Sequence, residues 1–309
     1  GRFYDKINGC CLFVHSRHLV EEDKKGLRHF IKDTARKVGT VTERSGLALP
    51  RLLRWVRVLI VYLLTFSLLD QLTHTLQLFP GVVAWYPPDG LSLAFLLGFG
   101  AGFTPAFTLA SLISSLLIYH FSTPLIPLLV WAVILSVVYG IDALLLRRWI
   151  RIDLQLKELR DTLWLILSSA IVSLLLALIS VSVLVSYGDV PSSQYFNAAV
   201  QWWIGEMIGV LVFTPFLLIH VMPWLKHFIN GDWVSIRKQY NFHRPSLQTI
   251  GQVLSIPLIL YLVFGIPAFK GFQPLYLLAG PLIWIALNNG FSRVSFAIVG
   301  MNFGVILAL

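Results

Sequence analysis

Charged residues are scarce in this chain. Only 13% of its 309 residues are Asp, Glu, Lys or Arg, whereas 57% are hydrophobic, and its mean hydropathy is +0.76. Soluble globular proteins carry about 25% charged residues, so that class is excluded. The composition predicts an all-α polytopic membrane protein, in which helices span the bilayer and form a bundle.

Cysteine is nearly absent. The two cysteines, Cys10 and Cys11, are adjacent and lie outside every apolar segment, so they provide neither a disulfide framework nor a metal-binding spacing. The N-terminus also lacks the basic, apolar and small-residue order of a cleavable signal peptide, which favours a retained first span.

The sequence lacks the short motifs of common enzyme chemistry. It contains no Gly-x-Ser-x-Gly nucleophile elbow, no phosphate-binding Gly-x-x-x-x-Gly-Lys-Ser/Thr loop and no His-Glu-x-x-His zinc motif. No catalytic residue, metal or cofactor is therefore predicted. A separate hypothesis groups His74 and His120 with Asp70, Asp89 and Asp189 on the outer side as a metal or pH-sensing cluster, although no histidine pair has metal-ligand spacing.

Positive charge is unevenly distributed along the chain. The net charge of +9 does not indicate nucleic-acid binding, because Lys and Arg concentrate in the N-terminal tail and in particular loops. If the spans alternate, the basic segments before the first span, at 147–160 and at 226–244 share one side, and only Lys270 departs. That side is predicted to be the cytosol, with a cytosolic N-terminus.

Apolar runs near 20 residues long predict about nine membrane spans, since the hydrocarbon core is about 30 Å thick and a helix rises about 1.5 Å per residue. The predicted spans are 52–70, 86–101, 104–120, 125–146, 162–186, 197–220, 247–265, 273–289 and 292–309. An alternative interpretation treats the glycine-rich segment 86–101 as re-entrant, which would change the parity. Nine spans place Leu309 on the outer side, so a tenth span is expected after it.

The chain divides into two predicted regions. Residues 1–47 carry charges of both signs without a clean period, and they are interpreted as a polar cytosolic tail or as translated upstream sequence, since the first methionine is Met207. Residues 48–309 form the predicted membrane domain. This domain stops within or just after an apolar run, so it is expected to be truncated at its C-terminal end.

A lone carboxylate occupies the apolar segment 201–215 (QWWIGEMIGVLVFTP). A charge at the centre of a membrane helix costs roughly 2.5–3.5 kcal/mol on translocon scales, so such residues usually face the bundle interior and serve a function. A helix would place Trp202 on the same face as Glu206. Gly205 and Gly209 share that face and predict a notch for a closely packed helix. Glu206 is therefore the leading candidate for chemistry or sensing.

A similar pattern occurs earlier in the chain. Trp85 precedes Asp89 by four residues, as Trp202 precedes Glu206, and both segments later reach Phe-Thr-Pro, which suggests a parallel internal repeat as one interpretation. The candidate ligand-binding or sensing residues are Glu206, Trp202, Trp203, Asp89 and Trp85. Simpler interpretations remain open: the tryptophans form an interfacial aromatic belt, and Asp89 caps a helix N-terminus.

Two other carboxylates receive structural interpretations. Asp142 is predicted to form a salt bridge with Arg147 or Arg148 at the cytosolic end of its span. Asp70 is predicted to be solvated at the outer end of the first span.

Three segments carry a family resemblance. They are 85–97 (WYPPDGLSLAFLL), 202–211 (WWIGEMIGVL) with Thr214 and Pro215, and 280–287 (GPLIWIAL). Together they resemble the membrane-associated sensor domain of the first MASE type, over about 48–309. The resemblance implies an input module found ahead of bacterial histidine kinases, diguanylate cyclases and phosphodiesterases. A last span and a cytosolic output domain, which would carry any catalysis, are then expected after Leu309.

The chain departs from the family pattern at two positions. The family usually has Asp where this chain has Glu206, which keeps the carboxylate and lengthens its reach. The family also commonly has Arg before a Phe-Gly pair, whereas here residues 288–291 read NNGF and Arg293 follows.

Two functional hypotheses follow. The first is a sensory input domain of a two-component or cyclic-di-GMP signalling protein, which binds a small ligand or another membrane protein and works in the lipid bilayer as a homodimer. The second is a small-solute or ion transporter that uses Glu206 as an intramembrane acid. A soluble catalytic domain encoded after Leu309 would favour the sensor.

Overall fold

The computed structural model describes most of the membrane domain. The described residues are 52–74, 77–79, 82–83, 85–118, 125–231, 247–265 and 275–308. The predicted tail 1–47 with its two cysteines lies outside the described residues, as do His120, Lys270 and the basic residues of the segment 232–246. Residues 57–309 make one compact unit.

The described chain is α-helical apart from one short antiparallel hairpin, so the predicted all-α class is confirmed there. The hairpin pairs β1 (Gln77–Phe79) with β2 (Val82–Val83). The helices are α1 (Leu52–His74), α2 (Pro87–Phe99), α3 (Thr104–Ile118), α4 (Leu125–Leu144), α5 (Leu159–Tyr187), α6 (Tyr195–Phe216), α7 (Met222–Asn230), α8 (Leu247–Leu260) and α9 (Ala279–Ala308). Single π-helical turns extend α4 through Ile150, α6 through Val221 and α8 through Gly265.

Seven stretches of the described chain are long and apolar enough to cross a membrane, so the predicted count of about nine is not confirmed. They are Leu52–His74, Ala101–Ile118, Leu128–Ile150, Leu159–Tyr187, Ser192–Asn230, Gln248–Gly265 and Tyr276–Leu307. The difference arises at the predicted second span and at the last two predicted spans.

The predicted second span is a short buried helix. α2 has 13 residues, which corresponds to about 20 Å and is less than the hydrocarbon thickness. Its residues from Pro87 to Gly98 are buried, so protein surrounds them instead of lipid. The helix ends before Gly100, whose φ of 99° favours glycine. Uniform hydrophobicity is typical both of a lipid-facing span and of a helix buried in protein. The sequence therefore predicted a membrane span at 86–101 where the structure has a shorter, buried helix.

α2 begins midway along α6 and runs parallel to it. The Tyr86 N–H, just before α2, donates a hydrogen bond to the Gly205 carbonyl at 3.1 Å. Gly98, near the end of α2, faces Met222 beyond the end of α6. Gly205 lies ten residues into α6, or about 15 Å along its axis, so the first turn of α2 lies deep in the bundle.

The last long helical stretch is broken at Gly290. Its φ of 73° and ψ of 179° are not helical. Both sides of the break contact α8: Trp284 lies beside Gly251 and Asn289 bonds to Gln252 before it, and Gly304 lies beside Leu260 after it. This break coincides with the boundary between the last two predicted spans.

Aromatic rings hold α2 against α1. Tyr62 on α1 contacts Phe95 of α2 and Phe103, which precedes α3, each with ring centroids 4.8 Å apart. The Tyr62 hydroxyl also lies 2.9 Å from the Ser92 hydroxyl oxygen in a buried hydrogen bond. Buried aromatic pairs stabilise by about 0.5–1.5 kcal/mol beyond their area, so α2 is held against α1 as well as α6.

Candidate functional site

The two tryptophan–acid motifs meet where α2 begins. A Cβ atom added to Gly209 would overlap the Tyr86 carbonyl oxygen, and one added to Gly90 would lie 2.5 Å from the Gly209 carbonyl oxygen. The Thr214 hydroxyl donates to the Gly90 carbonyl at 3.0 Å. The glycines therefore permit direct backbone contact between α2 and α6, which is the kind of close approach that small residues allow in membranes.

Two buried carboxyl groups lie at this contact. Glu206 is 2% exposed, and its Oε1 accepts a hydrogen bond from Trp202 Nε1 at 2.6 Å. Asp89 is fully buried and close enough to Glu206 for the charges to interact. Among the described residues, neither oxygen of Asp89 nor Glu206 Oε2 has a hydrogen-bond partner. Three buried carboxyl oxygens are thus left unsatisfied.

No basic side chain in the described ranges compensates these carboxyls. The groups that act on Asp89 are Glu206, Asp70 and the Tyr139 hydroxyl, and the side chain that acts on Glu206 is Trp202. Tyr139, on α4, is fully buried, and its hydroxyl lies beside Asp89 without completing a hydrogen bond. Two charged carboxylates in this environment would be costly unless a proton, a cation or external donors compensate them.

Asp89 is not an N-cap, so that interpretation is wrong. Tyr86 is the N-cap residue of α2, it makes no side-chain cap, and Asp89 is the third helical residue. An N-cap side chain accepts a hydrogen bond from the N–H two or three residues after it, and Asp89 makes no such bond. Proline fits the first turn of a helix, where the N–H groups have no helical partner, so α2 begins ahead of Asp89 at Pro87. The carboxyl is therefore available for another partner.

The tryptophans have three different environments. Trp85 is 4% exposed and packs between Phe213 and Phe303, with ring centroids 5.7 and 5.5 Å away, so the aromatic-belt interpretation is wrong for it. Trp202 is half-buried and donates to Glu206. Trp203 points to α5 and donates to the Ala170 carbonyl at 2.9 Å. Only Trp202 thus contacts a carboxyl directly.

The two other carboxylates also differ from expectation. Asp142 is 2% exposed and lies beside Ser168 instead of the arginines, because positions five and six residues later on a helix do not face it. Asp70 is 9% exposed and lies near Ser114 and Tyr86, so it is not solvated.

The outer-side cluster is supported only in part: Asp70 interacts with His74 and with Asp89, but a metal site receives no support from the described ranges. They contain no group of three His, Cys, Asp or Glu that could hold a metal ion. His120 lies outside them.

Sequence reasoning missed three polar groups at the site: Tyr86, Tyr139 and Thr214. Each is a polar residue inside a predicted apolar span, which is the signal that singled out Glu206. Thr214 also belongs to the repeated Phe-Thr-Pro sequence, and Tyr86 is adjacent to Trp85.

A protein-family model, MASE1, matches residues 55–309 and includes every residue of this site. The chain belongs to the MASE1 family. MASE1 domains are membrane-associated sensory input domains and are not themselves catalytic. Comparisons with curated proteins and with solved structures give no match. The acid pair and the glycine contact thus belong to the sensory domain of a multi-pass membrane protein.

Proposed function

We propose that this MASE1 domain is the input module of a bacterial signalling protein and that the Asp89–Glu206 pair is its sensing point. The observation that supports this is the meeting of two buried carboxyls with three unsatisfied oxygens at the α2–α6 contact. Unsatisfied buried polar groups are rare in folded proteins and call for an explanation. A ligand or membrane-protein partner that supplies a cation, a proton or hydrogen-bond donors would satisfy them.

A change at the acid pair would act on the packing of α2 against α6. The two helices touch backbone to backbone at Gly90 and Gly209, so little freedom exists for side chains to absorb a shift. Packed contacts of this kind change between discrete arrangements instead of deforming smoothly. Ligand binding would therefore move α6 or α2 as a body.

α6 passes that movement to the last helix. His220, one turn after α6, lies 2.8 Å from the Ser292 carbonyl oxygen through Nε2, and Phe213 contacts Phe303 at 6.1 Å. Both partners follow the break at Gly290 in α9, the last described helix. We propose that the output domain is a histidine kinase or a cyclic-di-GMP enzyme in the cytosol.

The basic segments support the predicted orientation of the domain in the membrane. Arg147, Arg151, Lys157 and Lys226 lie in or beside the turns that follow α4 and α6. By the positive-inside rule this end of the bundle faces the cytosol of the inner membrane, as does the N-terminus, since α1 then runs outward. We also propose a homodimer as the working unit.

The decisive experiment replaces each acid by its amide. Glu206→Gln and Asp89→Asn keep shape and most hydrogen bonds, so we expect folding to persist while the response of an output domain attached after Leu309 is locked or lost. Asp142→Asn is the matched control, because it is also a buried carboxyl but lies beside Ser168. A wild-type response from both amide variants at equal membrane levels would refute the sensing role.

A transporter is the second candidate, and one observation favours it. α2 is a short helix that begins inside the bundle beside an acid, as the half-helices of discontinuous spans do at transporter binding sites. Proteoliposomes with a trapped pH-sensitive dye provide the test. Proton flux that appears only in vesicles with the protein and is lost on replacing Glu206 would favour the transporter. Vesicles that contain the protein and show no proton flux would support the sensor.

A further inference from the structure

A second candidate site lies at the basic end of the bundle. A cleft of about 690 Å³ opens between the turn at 152–157 and α7, and Leu218 of the preceding π-helical turn also lines it. Met222, in its wall, is 16 residues after Glu206, or about 24 Å along the helix axis. The cleft is therefore separate from the acid pair.

The charge of the cleft lining is mainly positive. Lys157, Lys226 and His227 line it, and Asp153 is the one carboxylate among its lining residues. Asp153 already accepts a hydrogen bond from the Gln155 N–H at 3.0 Å. The cleft therefore presents more basic than acidic groups to an occupant.

Lys226 is half-buried, and the charged group that acts on it within the described residues is a second cation, Arg147. Since like charges repel, an anion bound beside Lys226 would offset this repulsion. Phosphate suits this site, because Lys binds it as a compact positive charge.

The position of the cleft relative to the membrane indicates which kind of phosphate compound could reach it. α6 has 22 residues, or about 33 Å, so the segment after it lies at the membrane interface. In α7, Met222, Leu225 and Ile229 are buried against the protein, whereas Trp224 is exposed. Exposed tryptophans are enriched at the membrane–water interface, which agrees with this position.

We propose that this cleft binds the phosphate headgroup of an anionic phospholipid. Lys226 and Lys157 contact the phosphate, and the apolar wall of Leu218 and Met222 lies beside the glycerol and the first methylenes of the acyl chains. Basic pockets between membrane helices on the cytosolic side recognise lipid headgroups through this chemistry. The site is independent of the proposed sensing role of Asp89 and Glu206.

Native mass spectrometry of the full chain in mild detergent tests the proposal. Phosphatidylglycerol and phosphatidylcholine are titrated separately, and we expect one saturable phosphatidylglycerol site with clearly weaker phosphatidylcholine binding. Lys226→Gln should weaken phosphatidylglycerol binding about fivefold, as expected for one basic residue near a lipid phosphate. Lys226→Arg should retain it, which separates charge from folding.

Arg148→Gln is the matched control, because Arg148 is exposed in the same basic region but does not line the cleft. Equal weakening by Arg148→Gln and Lys226→Gln would mean general surface attraction and would overturn the proposal. Equal binding of the two lipids would overturn it as well. Competition by glycerol 3-phosphate at the same concentration as the lipid would show a soluble-anion site and refute the lipid assignment.

Discussion

The α2–α6 contact and the α8–α9 contact use opposite means of packing helices. At the first, two backbones touch, since added Cβ atoms on Gly90 or Gly209 would collide with backbone atoms. At the second, side chains mediate the contact, with Asn289 Nδ2 donating to Gln252 Oε1 at 2.7 Å and Trp284 near Gly251.

Burial follows the same division. In an apolar 18-residue segment of the Ser192–Asn230 stretch, 56% is buried inside the protein, against 11% in Gln248–Gly265. A backbone contact cannot adjust by changing rotamers, whereas a side-chain contact can. The acid pair thus lies on the rigid part of the molecule, and the last helices form the adaptable part.

The strongest test of this difference is Gly209→Ala. The added methyl group meets the Tyr86 carbonyl, so the helices must separate, and we expect a loss of about 3 kcal/mol or more, at the upper end for overpacking. The melting temperature and the monodisperse yield in detergent measure it. Gly251→Ala is the control, because its Cβ meets only the Trp284 ring edge at 3.4 Å and should change stability by less than about 0.5 kcal/mol. Equal losses of stability from Gly209→Ala and Gly251→Ala would show that the α2–α6 contact is no more rigid than the α8–α9 contact.

A second test compares the adjacent tryptophans. Trp202→Phe removes the hydrogen bond to Glu206 and leaves both carboxylate oxygens unsatisfied, so we expect a cost of about 1–3 kcal/mol and an altered signalling output.

The control for that change is Trp203→Phe. It removes the bond to the Ala170 carbonyl on α5, away from the acids, and should cost about 1 kcal/mol without changing the output. Thermal unfolding and output assays on both variants measure the two effects. An output change with Trp203→Phe alone would place the sensing contact on α5 instead.

The smallest expected effect is at the adaptable contact. Asn289→Leu removes the interhelical hydrogen bond to Gln252 together with the bond that Asn289 Oδ1 accepts from Arg293. Interhelical hydrogen bonds in membranes average about 0.6 kcal/mol. Asn302→Leu serves as the control, since Asn302 bonds within its own helix to the Ile298 carbonyl. Unfolding in mixed micelles gives both values. A loss from Asn289→Leu as large as that from Gly209→Ala would show that the α8–α9 contact is equally rigid.

The individual features of α6 could be predicted from the sequence. The length of the apolar run and the helical spacing place Glu206, Gly205 and Gly209 on one buried face, and the structure has them there. These are local properties, which depend on residues three or four positions apart.

The partner of that face could not be predicted. Asp89 and Glu206 are 117 positions apart, and periodicity carries no information about which helix fills a glycine notch. The capping interpretation of Asp89 followed a sound local rule and was wrong because the helix begins two residues earlier, at Pro87, in the first-turn position that proline favours. The length of α2 was misjudged because hydrophobicity alone does not separate protein from lipid as the surrounding medium.

The brevity of α2 has a consequence for biogenesis. A segment of 13 residues with an acid in its first turn is a poor substrate for insertion by itself. Its binding surface on α6 is synthesised more than 100 residues later. During translation the segment must therefore wait beside the insertion machinery or at the membrane surface, and it can enter the bundle only after α6 emerges. Ribosome-bound intermediates that end before Tyr195 should leave Asp89 accessible to water, and those that extend well past Met222 should not.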